Sequence, residues 1–382
     1  MRIGVDIRPL LHPSTGIGRY TQALLQQLLN ADQHSDHQWF LYCDRHYDTK
    51  QIDHFSECSN VTIRCRPHSK ASIFNLWISQ IGFARWSQQD GLDVFWSPRH
   101  HLPLLLKRDI KTVVTVHDLV WQRFPETMRR KNLWLEKLLM PFSLRKADQL
   151  VAVSKFTASE IEAFYPACAD KITVVYEAPF NRISVSNIDS DTEPSVVAGQ
   201  SLPKNFYVFV GTNEPRKNLV LLLNSYKKLI EQGSPMALVL VAGTGWGQPA
   251  IAEQIQSLKL ADKVLHFKNL SDENLDKIYT LAHALILPSY YEGFGLPVLE
   301  SMIRGVPVIA ANNGALAEIV AGGGLLFDLD SSSGLLDAMT LLGEDSKLHT
   351  DLCARALERS GEFSWQKAAT KTLALLERVA GE

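Results

Sequence analysis

Two carboxylates eight residues apart, Glu292 and Glu300, bracket the segment EGFGLPVLE, which follows the apolar strand pattern ALILP and leads into a helix. Gly293 and Gly295 permit close backbone approach to a ligand. The amides from Gly293 through Phe294 and Gly295 to Leu296 enter the helix with their positive ends outward. An anionic diphosphate is the natural occupant. Glu292, on the loop, can then accept sugar hydroxyls, and Glu300, on the helix, can reach a ribose diol. The alternative is a glycine turn ahead of an ordinary helix cap.

A second group, GTNEPRKN, runs from Gly211 to Asn218 directly after the strand pattern YVFV. Arg216 and Lys217 fall where a helix begins, a place the helix dipole makes unfavourable for positive charge. A bound phosphate removes the conflict, because Arg offers a fork of donors and Lys a mobile point charge. Two solvated surface cations are the competing reading.

Two further signals lie in the first half. PSTGIGRY, Pro13 to Tyr20, sits on the first strand-to-helix turn, and Gly16 and Gly18 allow a phosphate to come near. A nicotinamide-binding fingerprint would need a third glycine where Thr21 stands, so that chemistry is disfavoured. VTVHDL places His117 and Asp118 at the carboxyl end of a strand, where a ligand would lie, although an isolated His is often structural. The His100–His101 pair has no third ligand at metal-site spacing, and the DxD-like string Asp189 to Asp191 falls in a polar stretch. No metal cofactor is expected.

The elements that must position these residues alternate along the chain. Apolar runs at Ile3–Ile7, Trp39–Cys43, Val61–Ile63, Val94–Trp96, Thr112–Val116, Gln149–Val153 and Thr173–Tyr176 are separated in several places by helical patterns. This predicts α/β architecture with a parallel sheet covered on both faces. The rhythm stops in the polar segment Asn187 to Pro203 and resumes at Tyr207. The expected organisation is a domain over 1–186, a linker over 187–204, a second domain over 205–362 and a terminal helix over 363–382 that can pack back on the first domain.

Lys and Arg total 39 against 41 acidic residues, which gives no general field for nucleic acid. Five scattered cysteines without a CxxC pair suit a reducing compartment and read as buried thiols. The start of the sequence lacks a signal-peptide pattern and no apolar run is long enough to span a bilayer, so a cytoplasmic protein is expected.

Taken together, GIGRY, HD, AVS at Ala152 to Ser154, EPRKN, EGFGLPVLE, GALAEI and a terminal FSW resemble the retaining GT-B glycosyltransferases of family 4 across nearly the whole chain. The opening, GVDIRPLLHPSTGIGRYTQALL, is most similar to bacterial mannosyltransferases of lipopolysaccharide O-antigen assembly. The resemblance implies two Rossmann-like doubly wound domains facing a central cleft, a nucleotide-sugar donor such as GDP-mannose, and a saccharide acceptor carried on polyprenyl diphosphate. It implies retention without a metal. It assigns Glu292 to the donor sugar, Glu300 to the ribose, Arg216 and Lys217 to the diphosphate, and His117 to the transferred sugar. Gly16, and with it Gly18 and Gly211, would lie near the donor, and Glu318 would support the second-domain site.

The acceptor is expected on the first domain, where Trp77, Phe83 and Trp86 suit either sugar faces or core packing. The basic and apolar stretch Arg129–Lys146 fits either a helix lying on an anionic membrane at the inner face of the plasma membrane or an ordinary amphipathic helix. Rival activities are a UDP-sugar transferase of the same fold, a nucleotide-sugar epimerase or hydrolase, and a non-catalytic sugar-nucleotide sensor.

Overall fold

The computed structural model describes residues 1–12, 15–32, 36–44, 52, 55, 57–65, 78–180, 195–243 and 245–381. They divide into two compact units. The first comprises Met1–Arg123, Arg130–Ala178 and Ser364–Glu382, and the second Phe124–Arg129 and Pro179–Phe363.

The first unit is built on seven strands: β1 Arg2–Asp6, β2 Gln38–Tyr42, β3 Val61–Arg64, β4 Val94–Ser97, β5 Lys111–Val116, β6 Gln149–Ala152 and β7 Ile172–Val174. They are all parallel, in the order β3-β2-β1-β4-β5-β6-β7. Their continuous apolar runs follow from burial on both faces, as with Ile3, Val5, Val94 and Val113, each fully buried. Helix α1, Gly16–Ala31, opens on Thr15, whose hydroxyl accepts from the Gly18 amide at 3.1 Å. It buries Tyr20, Leu24, Leu25, Leu28 and Leu29 at three- and four-residue spacing. Further helices of this unit include α2 Phe83–Gln89, α3 Arg130–Lys146 and α4 Lys155–Phe164.

The second unit carries the antiparallel hairpin β8 Val196–Val197 and β9 Gln200–Ser201, inside the stretch expected to be linker. Its main sheet has six parallel strands: β10 Phe206–Thr212, β11 Ala237–Gly243, β12 Val264–Phe267, β13 Ala284–Leu287, β14 Val308–Ala311 and β15 Gly324–Phe327, ordered β12-β11-β10-β13-β14-β15. Between and after them come α5 Leu219–Glu231, α6 Ile251–Ser257, α7 Asp272–Leu281, α8 Leu296–Met302, α9 Ala315–Val320, α10 Gly334–Glu344 and α11 Ser346–Ser360.

The final helix, α12 Trp365–Gly381, belongs to the first unit and packs against α1, β4 and β5. It buries Trp365, Ala368, Ala369, Thr372, Leu375, Leu376 and Val379, one face of its 3.6-residue period. Phe124–Arg129, read in sequence as part of the first domain, instead joins the second unit. There Phe124 lies 5.8 Å from the Tyr291 ring and the Thr127 carbonyl accepts from the Trp246 indole at 2.7 Å. The cysteines are all free, but only Cys43 and Cys168 are buried; Cys58, Cys65 and Cys353 are partly exposed. Phe83 is a core residue, Trp86 stacks on it at 5.7 Å, and Trp77 and Asp189–Asp191 lie outside the described residues. Among the described residues no helix is long and apolar enough to cross a membrane.

In each sheet the chain leaves one strand for one side and returns to the other side of the same strand. The reversals fall between β1 and β4 in the first unit and between β10 and β13 in the second. Loops leaving neighbouring strands there diverge and open a crevice at the carboxyl ends, the usual ligand position in such sheets.

Candidate active site

At the β10/β13 reversal, Arg216 and Lys217 lie in the single turn Pro215–Lys217 after β10, and Glu292 lies in the loop after β13. A backbone hydrogen bond from the Tyr290 amide to the Arg216 carbonyl, 2.8 Å, ties the loops together. One Glu292 carboxylate oxygen accepts from Lys217 Nζ at 2.6 Å and from the Ser289 hydroxyl at 2.7 Å. The other accepts from Arg216 Nη1 at 3.0 Å. Arg216 Nε also donates to Glu214 at 3.0 Å, and Glu214 accepts from Thr212 Oγ1 at 2.6 Å.

Glu292 and Lys217 are 7% and 9% exposed, so the pair is nearly dry. Burial alone would raise the Glu292 pKa, but the charges of Lys217 and Arg216 outweigh it and hold the carboxyl down to about 2. For Lys217 burial prevails over the pull of Glu292 and lowers its pKa. The position of two cations ahead of α5 is thus already answered by protein carboxylates, not by a phosphate alone. Asn218, next in the chain, adopts a left-handed φ of 54°, and its side-chain nitrogen is buried without a hydrogen-bond partner, as is the Asn213 side-chain oxygen.

Gly295 stands immediately before α8 at φ 102°, where an added Cβ would come within 2.9 Å of Leu316. The positive φ favours glycine, and any side chain would also have to displace the end of Leu316. Phe294 turns inward, its ring edge-on to Phe363 at 6.2 Å. Glu300, on α8, accepts from the Tyr279 hydroxyl at 2.9 Å and is 8% exposed. Glu318 lies in the first turn of α9, and its carbonyl is held by Arg359 at 2.8 Å.

In the first unit His117 follows β5. Its Nδ1 is 3.0 Å from Glu177 Oε1 and its Nε2 2.9 Å from the Pro98 carbonyl, so both ring nitrogens are engaged. Tyr20, the aromatic of GIGRY, meets the His117 ring edge-on at 4.7 Å, and Trp365 meets Tyr20 at 5.9 Å. Gly16 is the first residue of α1, and a side chain at Gly18 would run into the His12 carbonyl, so close packing of the loop on the helix requires that glycine. Gly211 lies within β10.

At the β1/β4 reversal Arg8 pairs with Asp6 at 2.6 Å. After β4, His101 Nε2 lies 2.9 Å and His100 Nδ1 3.8 Å from Glu136, which projects from α3. The His117 amide donates to His100 Nε2 at 3.0 Å, which leaves Nδ1 as the protonated nitrogen facing Glu136. Burial raises the Glu136 pKa, but its hydrogen bonds with both histidines outweigh this and hold it well below the usual carboxylate range. Burial lowers the His101 pKa. Among the described residues no group of three His, Cys, Asp or Glu is placed to hold a metal ion.

Arg216, Lys217 and Glu292 are thus brought into direct contact, Glu300 follows on the helix that Gly295 initiates, and His117, Gly16 and Gly18 lie in the first unit. The sequence did not reveal Ser289, Glu214, Glu177 or Glu136. Each acts on a residue singled out from sequence, but Glu177 and Glu136 come from distant parts of the chain, and Ser289 and Glu214 stand unremarked within a few residues of the groups they hold.

Both units, and their order along the chain, are those of a GT-B glycosyltransferase. The model of glycosyltransferase family 4 matches residues 14–178 and that of glycosyl transferases group 1 matches residues 193–359. The chain belongs to the group 1, family 4 glycosyltransferases. It is 28% identical over 386 residues to O-antigen chain mannosyltransferase B of Escherichia coli, covering 98% of each chain. It is also 28% identical over 271 residues to the serotype-specific mannosyltransferase WbdA of Escherichia coli, covering 68% of this chain and 32% of that longer protein. Among solved structures, sucrose-phosphate synthase from Thermosynechococcus elongatus superposes with a TM-score of 0.71 at 18% identity, covering 99% of both chains.

Proposed function

We propose that the protein is a retaining, metal-independent hexosyltransferase that moves mannose from GDP-mannose onto a polyprenyl-diphosphate-linked saccharide during O-antigen assembly, at the cytoplasmic face of the membrane. The observation that carries the chemistry is the Arg216–Lys217–Glu292 cluster at the β10/β13 reversal. Two cations of different geometry on adjacent residues suit a diphosphate, and Glu300, on the glycine-initiated helix α8, is the carboxylate we assign to the ribose. The mannosyl assignment is supported by the similarity to O-antigen chain mannosyltransferase B over 98% of both chains.

In the proposed reaction the acceptor hydroxyl approaches the anomeric carbon from the leaving-group side. The bond from that carbon to the diphosphate oxygen breaks, the bond to the acceptor oxygen forms, and the acceptor proton passes to the departing phosphate oxygen. Arg216 and Lys217 stabilise the charge that grows on the diphosphate, Glu292 orders both cations and reads sugar hydroxyls, and His117 positions the transferred sugar. The amides from Gly293 to Leu296 approach the sugar and phosphate, and Gly16, Gly18 and Gly211 line the donor.

The test is a donor screen with GDP-mannose and several UDP-sugars, with and without a polyprenyl-diphosphate-linked saccharide, in EDTA. Acceptor-dependent mannose transfer that survives EDTA is the expected result. Preference for a UDP-sugar discards the mannosyl assignment, turnover of donor alone points to an epimerase or hydrolase, and a covalent glycosyl-enzyme discards the front-face path.

A further inference from the structure

Eleven large apolar side chains are exposed among the described residues, and five of them, Leu104, Leu105, Trp134, Leu138 and Phe142, belong to two neighbouring segments of the first unit. The other six, Val196, Val220, Tyr290, Leu326, Leu341 and Leu357, lie singly on separate elements of the second unit, an ordinary distribution. Trp134, Leu138 and Phe142, 66%, 56% and 37% exposed, recur every four residues along α3 and so form one outward stripe. The opposite face of α3 already buries Leu139, Met140, Ser143 and Leu144 in the core. A helix needs only one apolar face to fold onto its unit, so the second stripe serves something else.

The loop after β4 extends this surface. Lys146 Nζ donates to the carbonyls of Leu104 at 3.2 Å and Leu106 at 3.0 Å, which holds the loop bearing Leu104 and Leu105 at the carboxyl end of α3. The same ammonium lies 5.5 Å from the Phe142 ring. A groove of about 520 Å³ runs between Lys137, Leu138, Pro141, Phe142, Arg145 and Lys146. Lys107, Arg108, Arg130, Lys131, Lys137 and Arg145 are exposed around the stripe, against one exposed acid in the two segments, Asp109. Glu136, the remaining acid of α3, is taken up by His101. Arg129 is not part of the rim, since its guanidinium lies over the Trp246 ring in the second unit.

We infer that the outward face of α3 and the adjoining loop Leu104–Arg108 form a docking surface for an anionic lipid bilayer. Trp, Leu and Phe on an exposed helical stripe suit insertion among acyl chains near the headgroups, and a ring of Lys and Arg suits phosphate headgroups. The formal charge of the whole chain is −2, so this attraction is local to the patch. Pairing with a second copy through the same face would set the two cationic rims against each other. The surface gives the lipid-linked acceptor proposed above a bilayer to be reached from, and its own test does not depend on that acceptor.

The experiment is flotation of the full-length protein with vesicles of phosphatidylglycerol and phosphatidylcholine, and with phosphatidylcholine alone, at low and high salt. Wild type is expected to bind the anionic vesicles, to release them in high salt and to ignore the neutral ones. W134S/L138S/F142S and, separately, K131E/K137E/R145E are expected to bind at least about tenfold more weakly, with unchanged melting temperature and transfer to a water-soluble saccharide. Should the triple serine variant unfold, the emission shift of wild type on vesicle addition, compared with W134F, reports the same contact. Binding unaffected by both variants, or equal binding to neutral vesicles, overturns the inference. So does a wild type that ignores vesicles but sediments as a dimer that W134S/L138S/F142S dissociates, which would give the face to a second copy. Vesicle binding by a chain with no glycosyl transfer would leave this surface standing and discard the proposed reaction, and the reverse result would do the opposite.

Discussion

Glu292→Gln removes one negative charge from a site whose two cations are otherwise retained, while an amide of nearly the same shape can still meet Ser289. The Glu292 carboxyl is held down to about 2 from an ordinary value of 4.5, burial being outweighed by Lys217 and Arg216. A depressed pKa means stability that is fully present above the unfolded value and is lost as pH falls through the folded one. A shift of this size corresponds to about 3 kcal/mol at pH 7, on the order of half of which remains at pH 3. The Gln variant should therefore melt earlier at pH 7 by about 6–12 °C in a unit of this size, read from the thermal transition of the second unit in the full chain. The gap to wild type should narrow as pH falls below about 4.5. A variant as stable as wild type at pH 7, or a gap constant down to pH 3, would refute the view that Glu292 is held ionised by its two cations.

Glu177→Gln should loosen the His117 ring, lowering kcat by about tenfold or more with little change in donor KM, and initial-rate kinetics separate the two. Gly295→Ala meets both a positive φ and the Leu316 contact, so it should lower the melting temperature by the equivalent of about 1–3 kcal/mol and raise donor KM. Trp365→Ala removes the aromatic that α12 places against Tyr20 and should cost the first unit about 3–5 kcal/mol in chemical denaturation. Glu214→Gln leaves Arg216 with one carboxylate fewer and should tighten GDP binding several-fold in calorimetry at low salt, an effect that shrinks as salt is added.

The sheets were the most legible part of the chain. Strands such as YVFV in β10 and ALIL in β13 are buried on both faces, so their apolar runs are continuous and stand out from the helical spacing around them. GLLF of β15 escaped notice because it is short and follows a run of glycines, and α10 and α11 because nothing after the last recognised strand called for further layers. The site residues Arg216, Lys217 and Glu292 were visible as chemistry. Their mutual pairing was not, because the ion pair joins loops 75 positions apart in the chain and only the strand order makes them neighbours. The same holds for Glu177 on His117, and for Glu136, whose helix reads by composition as a surface helix. Gly18 shows the opposite limit. Sequence gives a ligand-approach reason for the glycine, and the structure supplies a packing reason that is sufficient by itself.

The charges at the β10/β13 reversal determine what the site asks of an incoming anion. Arg216 and Lys217 are matched by Glu214 and Glu292, so the four groups carry no net charge to draw in a diphosphate from a distance. Beyond the amides of Gly293 to Leu296, these side chains attract the anion only as the carboxylates yield part of their hold on the cations when the ligand arrives. Glu292 has an alternative occupation for its oxygens, since hydroxyl donors of a bound sugar can replace the hydrogen bonds that Lys217 and Arg216 withdraw. A nucleoside diphosphate without its sugar supplies no such donors. On the proposed function, the sugar and the diphosphate assist one another's binding through a single carboxylate, and the complete donor is favoured over the nucleoside diphosphate left after transfer.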